Sequence, residues 1–172
     1  MTYNSLGFFV FFAIFLICYL LMPDIKLRQA VILVGSFTFY LLAAGPAVLM
    51  LLIGTAVVVY LCSRQIAKIY VGYDKEKEGL TPKEQAALFA DYKKKSKKYL
   101  VAALILIVGF LVFVKMARLL HVQSILVPIG ISYYTFSSVG YLLDIYWKKA
   151  SCENNFLKLL LCMTYFPHIV QG

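Results

Sequence analysis

The chain has 172 residues, of which 62% are hydrophobic, and a mean hydropathy of +0.83; a soluble domain averages about 45–50% apolar. That excludes an ordinary soluble domain and predicts an integral membrane protein, an all-α polytopic bundle of transmembrane helices. The formal charge of +9 does not point to nucleic acid, because the basic residues flank membrane-length apolar runs and do not line a polar face; positive-inside topology accounts for them.

From Met1 to Pro23 no residue is charged, and Leu6 to Met22 is a nearly unbroken apolar run. A cleaved signal peptide carries a basic n-region and a small-residue cleavage site. Neither is present, so this helix is expected to stay. Its basic flank, Lys26 and Arg28, follows it, which predicts an amino terminus outside the cell membrane.

Gln29 to Ser63 is again free of charge, too long for a single span. Gly45-Pro46 divides it into halves of about 16 residues, each short for a hydrocarbon core near 30 Å. Two readings stand, a pair of short spanning helices or a re-entrant hairpin, and both return the chain to the side it left. Short helices imply a locally thinned bilayer, with Arg28 and Arg64 snorkelling outward.

Residues 64–98 form the one long polar segment, read as a cytoplasmic loop. Thr81-Pro82-Lys83-Glu84 predicts a helix start near 82, with Thr81 accepting from the Glu84 backbone and Glu84 reaching back to the Thr81 amide. No breaker follows before Gly109, so this helix is expected to run into the next membrane segment. Lys93, Lys94, Lys95, Lys97 and Lys98 crowd the membrane approach. They suit contact with anionic membrane lipid, or docking of an acidic carrier or other partner.

Tyr99 to Val114 is the next span, ending at Lys115, Arg118 and His121, the last read as interfacial. The segment from Ile129 to Trp147 follows Pro128 and precedes Lys148 and Lys149. On a helix, Tyr134, Ser137, Tyr141, Asp144 and Lys148 share one face. Polar groups at membrane depth usually face a cavity, a partner helix or a substrate. The small residues Gly130, Ser132, Ser137, Ser138 and Gly140 also suit plain helix packing, and Asp144 and Lys148 suit an i,i+4 pair at the inner interface. Both readings stay open. In the last apolar run Pro167 removes a helical hydrogen bond, predicting a kink with His168 beside it. The freed backbone groups then need protein or a water-filled cavity, where an imidazole can act as a base or hydrogen-bond partner. No second catalytic group accompanies His168 at a recognisable spacing, so it is a weak candidate and no catalytic residue is assigned.

Cys18, Cys62, Cys152 and Cys162 form no CxxC pair and have no His at metal spacing, so no metal site is expected. Three lie in apolar runs as packing residues, and Cys152 is positioned for acylation beside the membrane. Counting charges, the proposed inside regions hold Lys26, Arg28, the ten basic residues of 64–98, Lys148, Lys149 and Lys158, and the outside loops only Lys115 and Arg118. No repeat or attached soluble domain is evident, so residues 1–172 read as one membrane domain of about six hydrophobic segments.

Four blocks carry a resemblance: Val127-Pro128-Ile129-Gly130-Ile131-Ser132-Tyr133-Tyr134-Thr135-Phe136, Tyr141-Leu142-Leu143-Asp144-Ile145-Tyr146, Asn155-Phe156, and Phe166-Pro167-His168-Ile169-Val170-Gln171-Gly172. Together they resemble the membrane-bound O-acyltransferases, in the bacterial branch of alginate O-acetylation and D-alanyl transfer. The resemblance implies transfer of an acyl group from a cytoplasmic donor such as a thioester, with no bound cofactor, to a hydroxyl of a cell-envelope polysaccharide or polymer. It also implies a funnel through a thinned membrane, lined here by Tyr134, Ser137, Tyr141, Asp144, Pro167 and His168. The family's essential histidine belongs to a later segment than any in this chain, which then reads as an amino-terminal portion. The alternatives are a catalytically inactive truncated or split subunit and, in a different class, a small transporter or channel subunit.

Overall fold

The computed structural model describes residues 6–79, 81–120 and 131–165. Six helices lie among them: α1 (Leu6–Leu21), α2 (Ile25–Ala44), α3 (Pro46–Glu76), α4 (Pro82–Leu119), α5 (Ile131–Tyr146) and α6 (Phe156–Thr164). The described residues contain no strand, and the protein is an all-α membrane helix bundle. Three helices, α2, α3 and α4, are long and apolar enough to cross a bilayer, and the apolar part of α1 is shorter.

The charge-free run breaks at Gly45, whose φ of 85° lies in a region open to glycine. Its amide closes α2 on the Tyr40 carbonyl at 3.1 Å, and Pro46 starts α3 at a position where its missing N–H costs nothing. The halves are nonetheless not the short helices expected from the sequence. α2 takes in Lys26 and Arg28 in its opening turns and reaches 20 residues; α3 continues past Arg64 to 31 residues. At 1.5 Å per residue these are about 30 and 46 Å long, which favours two spans over a re-entrant hairpin and removes the length argument for a thinned bilayer. Arg28 acts locally, at the junction of α1 and α2. Its Nε donates to the Met22 carbonyl at 2.8 Å, and its guanidinium lies over the Tyr19 ring, so it satisfies the chain where α1 ends.

α3 is the central helix, packed against α2, α4, α5 and α6. Its buried stripe, Val48, Leu52, Ala56, Val59, Ser63, Ile66 and Tyr70, recurs at threes and fours and winds along one side for its full length. α4 answers with Ser96, Leu100, Ala103, Ile107, Leu111 and Val114. The two form an antiparallel hairpin whose part beyond Ser63 is a charged stalk, in which, among the described residues, only 77–79 and 81 lie outside helix. Ring contacts hold the stalk together: Tyr70 stacks on Phe89, and Tyr73 meets Phe89 and Tyr92 edge-on. The polar segment is thus largely helical, its second arm starting at Pro82.

α4 opens on a hydrogen-bonded Thr81–Glu84 pair. The Thr81 amide donates to the Glu84 carboxylate at 2.9 Å, and the Thr81 hydroxyl donates to the same oxygen at 2.7 Å. The hydroxyl therefore serves the carboxylate and not the Glu84 backbone as expected. α1 sits at the edge, against α2. A Cβ at Gly35 would come within 2.6 Å of the Phe15 ring, so it is the absence of a side chain there that lets α1 lie so close.

Candidate functional site

α5 buries Ile131, Tyr134, Thr135, Ser138, Leu142 and Ile145. On a helical wheel this stripe is centred well to one side of the face that carries Ser137, Tyr141 and Asp144. The expected polar face is therefore divided. Tyr134 is fully enclosed, Ser137 and Tyr141 are partly buried, and Asp144 is exposed. Pro167 and His168, the remaining funnel candidates, lie outside the described residues, as does His121.

Lys148 corrects a further expectation. It does not extend the α5 face to pair with Asp144; it follows the helix in a left-handed conformation, φ 56°. From there its Nζ reaches Asp74 of α3 at 3.0 and 3.1 Å and lies over the Tyr70 and Tyr73 rings. The turn that carries it is closed by the Lys149 and Ala150 amides, which donate to the Asp144 backbone carbonyl. Lys77 also holds Asp74, at 2.8 Å, and these two ammonium groups, Lys77 first, keep the Asp74 carboxyl below its ordinary pKa. The Asp74 carboxylate in turn raises Lys77 above the usual lysine value.

Further long-range hydrogen bonds gather at the same end of the bundle. Tyr70 donates to the Tyr146 carbonyl at 2.7 Å and Tyr60 to the Asn154 carbonyl at 2.8 Å. The Glu153 amide donates to the Tyr141 hydroxyl at 3.0 Å, and the Cys152 thiol lies 3.6 Å from the Ser63 hydroxyl. Tyr141 thus anchors the α5–α6 connection. Lys26 and Lys158 share a pocket of about 230 Å³ between α2 and α6. The basic residues at 26, 64, 148 and 158 therefore meet at one end, beside the stalk.

Deeper in the bundle the polar atoms behave differently. The hydroxyls of Ser36 on α2, Tyr134 on α5 and Thr164 on α6 are buried and have no hydrogen-bond partner among the described residues. α6 packs against both α2 and α5, and it starts at the stalk end, where Asn155 and Lys158 share a pocket with Lys26 and Gln29 of α2. A buried hydroxyl without a partner costs roughly 1–3 kcal/mol in proteins. Three of them, one each on α2, α5 and α6, mark positions that call for a polar partner such as water or substrate.

Sequence reasoning singled out Tyr134 but not Ser36 or Thr164 as site residues. The available signal was weak, a single hydroxyl inside an apolar run, which more often bonds its own helix backbone. Thr38 and Ser138 do this, donating to the Val34 and Tyr134 carbonyls. No group of three His, Cys, Asp or Glu suited to a metal ion occurs among the described residues.

No family model matches the chain, and no solved structure matches it. Part of the chain is similar to curated bacterial proteins. It is 40% identical over 48 residues to a probable alginate O-acetylase of Pseudomonas aeruginosa, covering 28% of this chain and 9% of that protein. Against the probable alginate O-acetylase of Azotobacter vinelandii it is 37% identical over 51 residues, 30% of this chain and 10% of the relative. The matched stretch thus spans about a tenth of each relative's length, and what it establishes is a membrane protein similar in part to O-acetylases.

Proposed function

We propose that this chain supplies helices of a membrane-bound O-acyltransferase that moves an acyl group onto a hydroxyl of a bacterial cell-envelope polysaccharide. The observation that carries the reading is the partial match to alginate O-acetylases. The buried hydroxyls of Ser36, Tyr134 and Thr164 support it, because a passage for a hydroxylated acceptor needs hydrogen-bonding groups where a packed apolar core has none. In this reading Tyr134 lines the passage and orients a substrate oxygen, with Pro167 and His168 on the following segment. Ser137 stands at the margin of that passage, and Tyr141 and Asp144 stay with the inner end.

The donor side is the end that bears the stalk, which faces the cytoplasm and leaves the amino terminus outside the cell membrane. The clustering of basic residues at that end supports this orientation. A thioester-type donor, delivered by an acidic carrier, would meet the exposed Lys94, Lys97 and Lys98 of α4. Lys93 lies over the rings of Phe89 and of Tyr146 at the end of α5, and Lys95 over Tyr92. The test is chemical: ester-linked acyl groups on the envelope polymers are compared in cells with the locus intact and deleted. Loss of one ester class on deletion is expected, and unchanged ester content would sink the proposal.

A further inference from the structure

Beside the stalk base, α3 and the α5–α6 connection form an open pocket of about 200 Å³ lined by Arg64, Ala67, Lys68, Val71, Cys152 and Asn154. We propose that it binds the phosphate of an anionic phospholipid, holding the lipid at the inner surface of the bundle.

The site is built around an arginine that is held in place. Tyr60 donates its hydroxyl proton to the Asn154 carbonyl at 2.8 Å and accepts from Arg64 Nη1 at 2.9 Å. The guanidinium also lies over the Tyr60 ring, 5.5 Å from its centroid. One N–H is spent on that contact, and the remaining donors of the planar group are left for a ligand. Lys68, one turn further along α3, adds a second positive charge and is in no ion pair among the described residues. The carboxylates of α3 and of the α5–α6 connection hold other partners. Asp74 is held by Lys77 and Lys148, and a Glu153 oxygen accepts the Asn155 amide at 3.0 Å.

Depth selects the ligand. Arg64 is the first charge after the charge-free run from Gln29 to Ser63, so it marks the hydrocarbon boundary. The pocket extends from there to Val71, about 10 Å at the helical rise, enough to cross a head-group layer of roughly 5–8 Å. A phosphate is the anion that a bilayer presents at that level. Arginine with a neighbouring lysine matches it by bidentate hydrogen bonding and charge. A phosphate borne by a soluble carrier has the same chemistry but arrives from the water side, and the test separates the two.

The full chain in detergent is titrated with dioctanoyl phosphatidylglycerol, with dioctanoylglycerol as the phosphate-free control and phosphopantetheine as the water-borne phosphate. Binding is read by native mass spectrometry. Phosphatidylglycerol is expected to bind, and Arg64→Gln with Lys68→Gln to weaken it by about tenfold or more; Lys149→Gln, at the same end but outside the pocket, should change it less than about twofold. A readout free of variants uses Cys152, which lines the pocket: phosphatidylglycerol should slow its alkylation by a water-soluble maleimide several-fold, and dioctanoylglycerol should not. Equal binding of the two lipids, an unchanged affinity in the double variant, or no protection of Cys152 would overturn the proposal. Tighter binding of phosphopantetheine than of the lipid would overturn it in favour of a carrier site. None of these outcomes depends on acyl transfer, so the site stands or falls apart from the enzymatic reading.

Discussion

Two regions of this bundle treat buried polar groups in opposite ways. At the stalk end polar side chains are matched to other segments: Tyr70 with the Tyr146 carbonyl, Tyr60 with Asn154, Tyr141 with the Glu153 amide, Asp74 with Lys148. Elsewhere in the bundle Ser36, Tyr134 and Thr164 are as deeply buried, and their hydroxyls are unmatched among the described residues. The first arrangement ties together segments up to 94 residues apart and is a structural clamp. The second gives no structural return for its desolvation, as expected of a place reserved for another molecule or for further chain.

Substitutions can break or sharpen this contrast. The largest effect is expected from Tyr134→Ala, which leaves a ring-sized hole in the core and should cost about 3–5 kcal/mol, seen as a lowered midpoint of thermal unfolding in detergent. Tyr70→Phe should cost about 1–2 kcal/mol, because it strands the Tyr146 carbonyl where α5 ends. The same chemical change at the other region should behave differently. Tyr134→Phe removes an unmatched hydroxyl, so stability should be unchanged or rise by up to about 1 kcal/mol, while any acyl transfer that uses the hydroxyl falls. If Tyr70→Phe and Tyr134→Phe proved equally destabilising, the two regions would not differ as described.

The smallest effect belongs to the surface pair. Asp74→Asn should cost less than about 1 kcal/mol, since Asp74 and Lys148 are both partly exposed and salt screens them. Its pH dependence has a definite sign. The folded-state pKa of Asp74 lies below the ordinary value, so its contribution is present above the unfolded pKa and is lost as pH falls through the lowered one. A melting-temperature difference between the native chain and Asp74→Asn that vanishes on acidification, and not on raising the pH, would confirm the tether.

Much of the fold was legible because its signals are local. Gly45-Pro46 marks a break through backbone geometry alone, and Thr81-Pro82 with Glu84 marks a start through groups three residues apart. Helix lengths were less legible, because a charge count cannot tell a helix that ends at Arg64 from one that carries Arg64 outward into water. α3 does the latter, its Tyr70 and Tyr73 having Phe89 and Tyr92 of α4 to pack against. Lys148 was misplaced for the same reason: a four-residue spacing suggested Asp144, and a partner 74 residues away won once α5 docked on α3. Of the deep hydroxyls only Tyr134 stood out, since Ser36 and Thr164 acquire meaning only when α2 and α6 lie side by side.

α3 and α4 pass from the stalk into the bundle without a helical break, and their ring stack holds them side by side along the stalk. A force applied at the stalk tip is therefore not absorbed by a pliable linker. It reaches the seam between α3 and α4 as a tilt of two coupled rods, and the Tyr70 hydroxyl, bonded to the Tyr146 carbonyl, ties the same displacement to the end of α5. The stalk is thus a lever arm whose short end is the α3–α4 seam of the bundle.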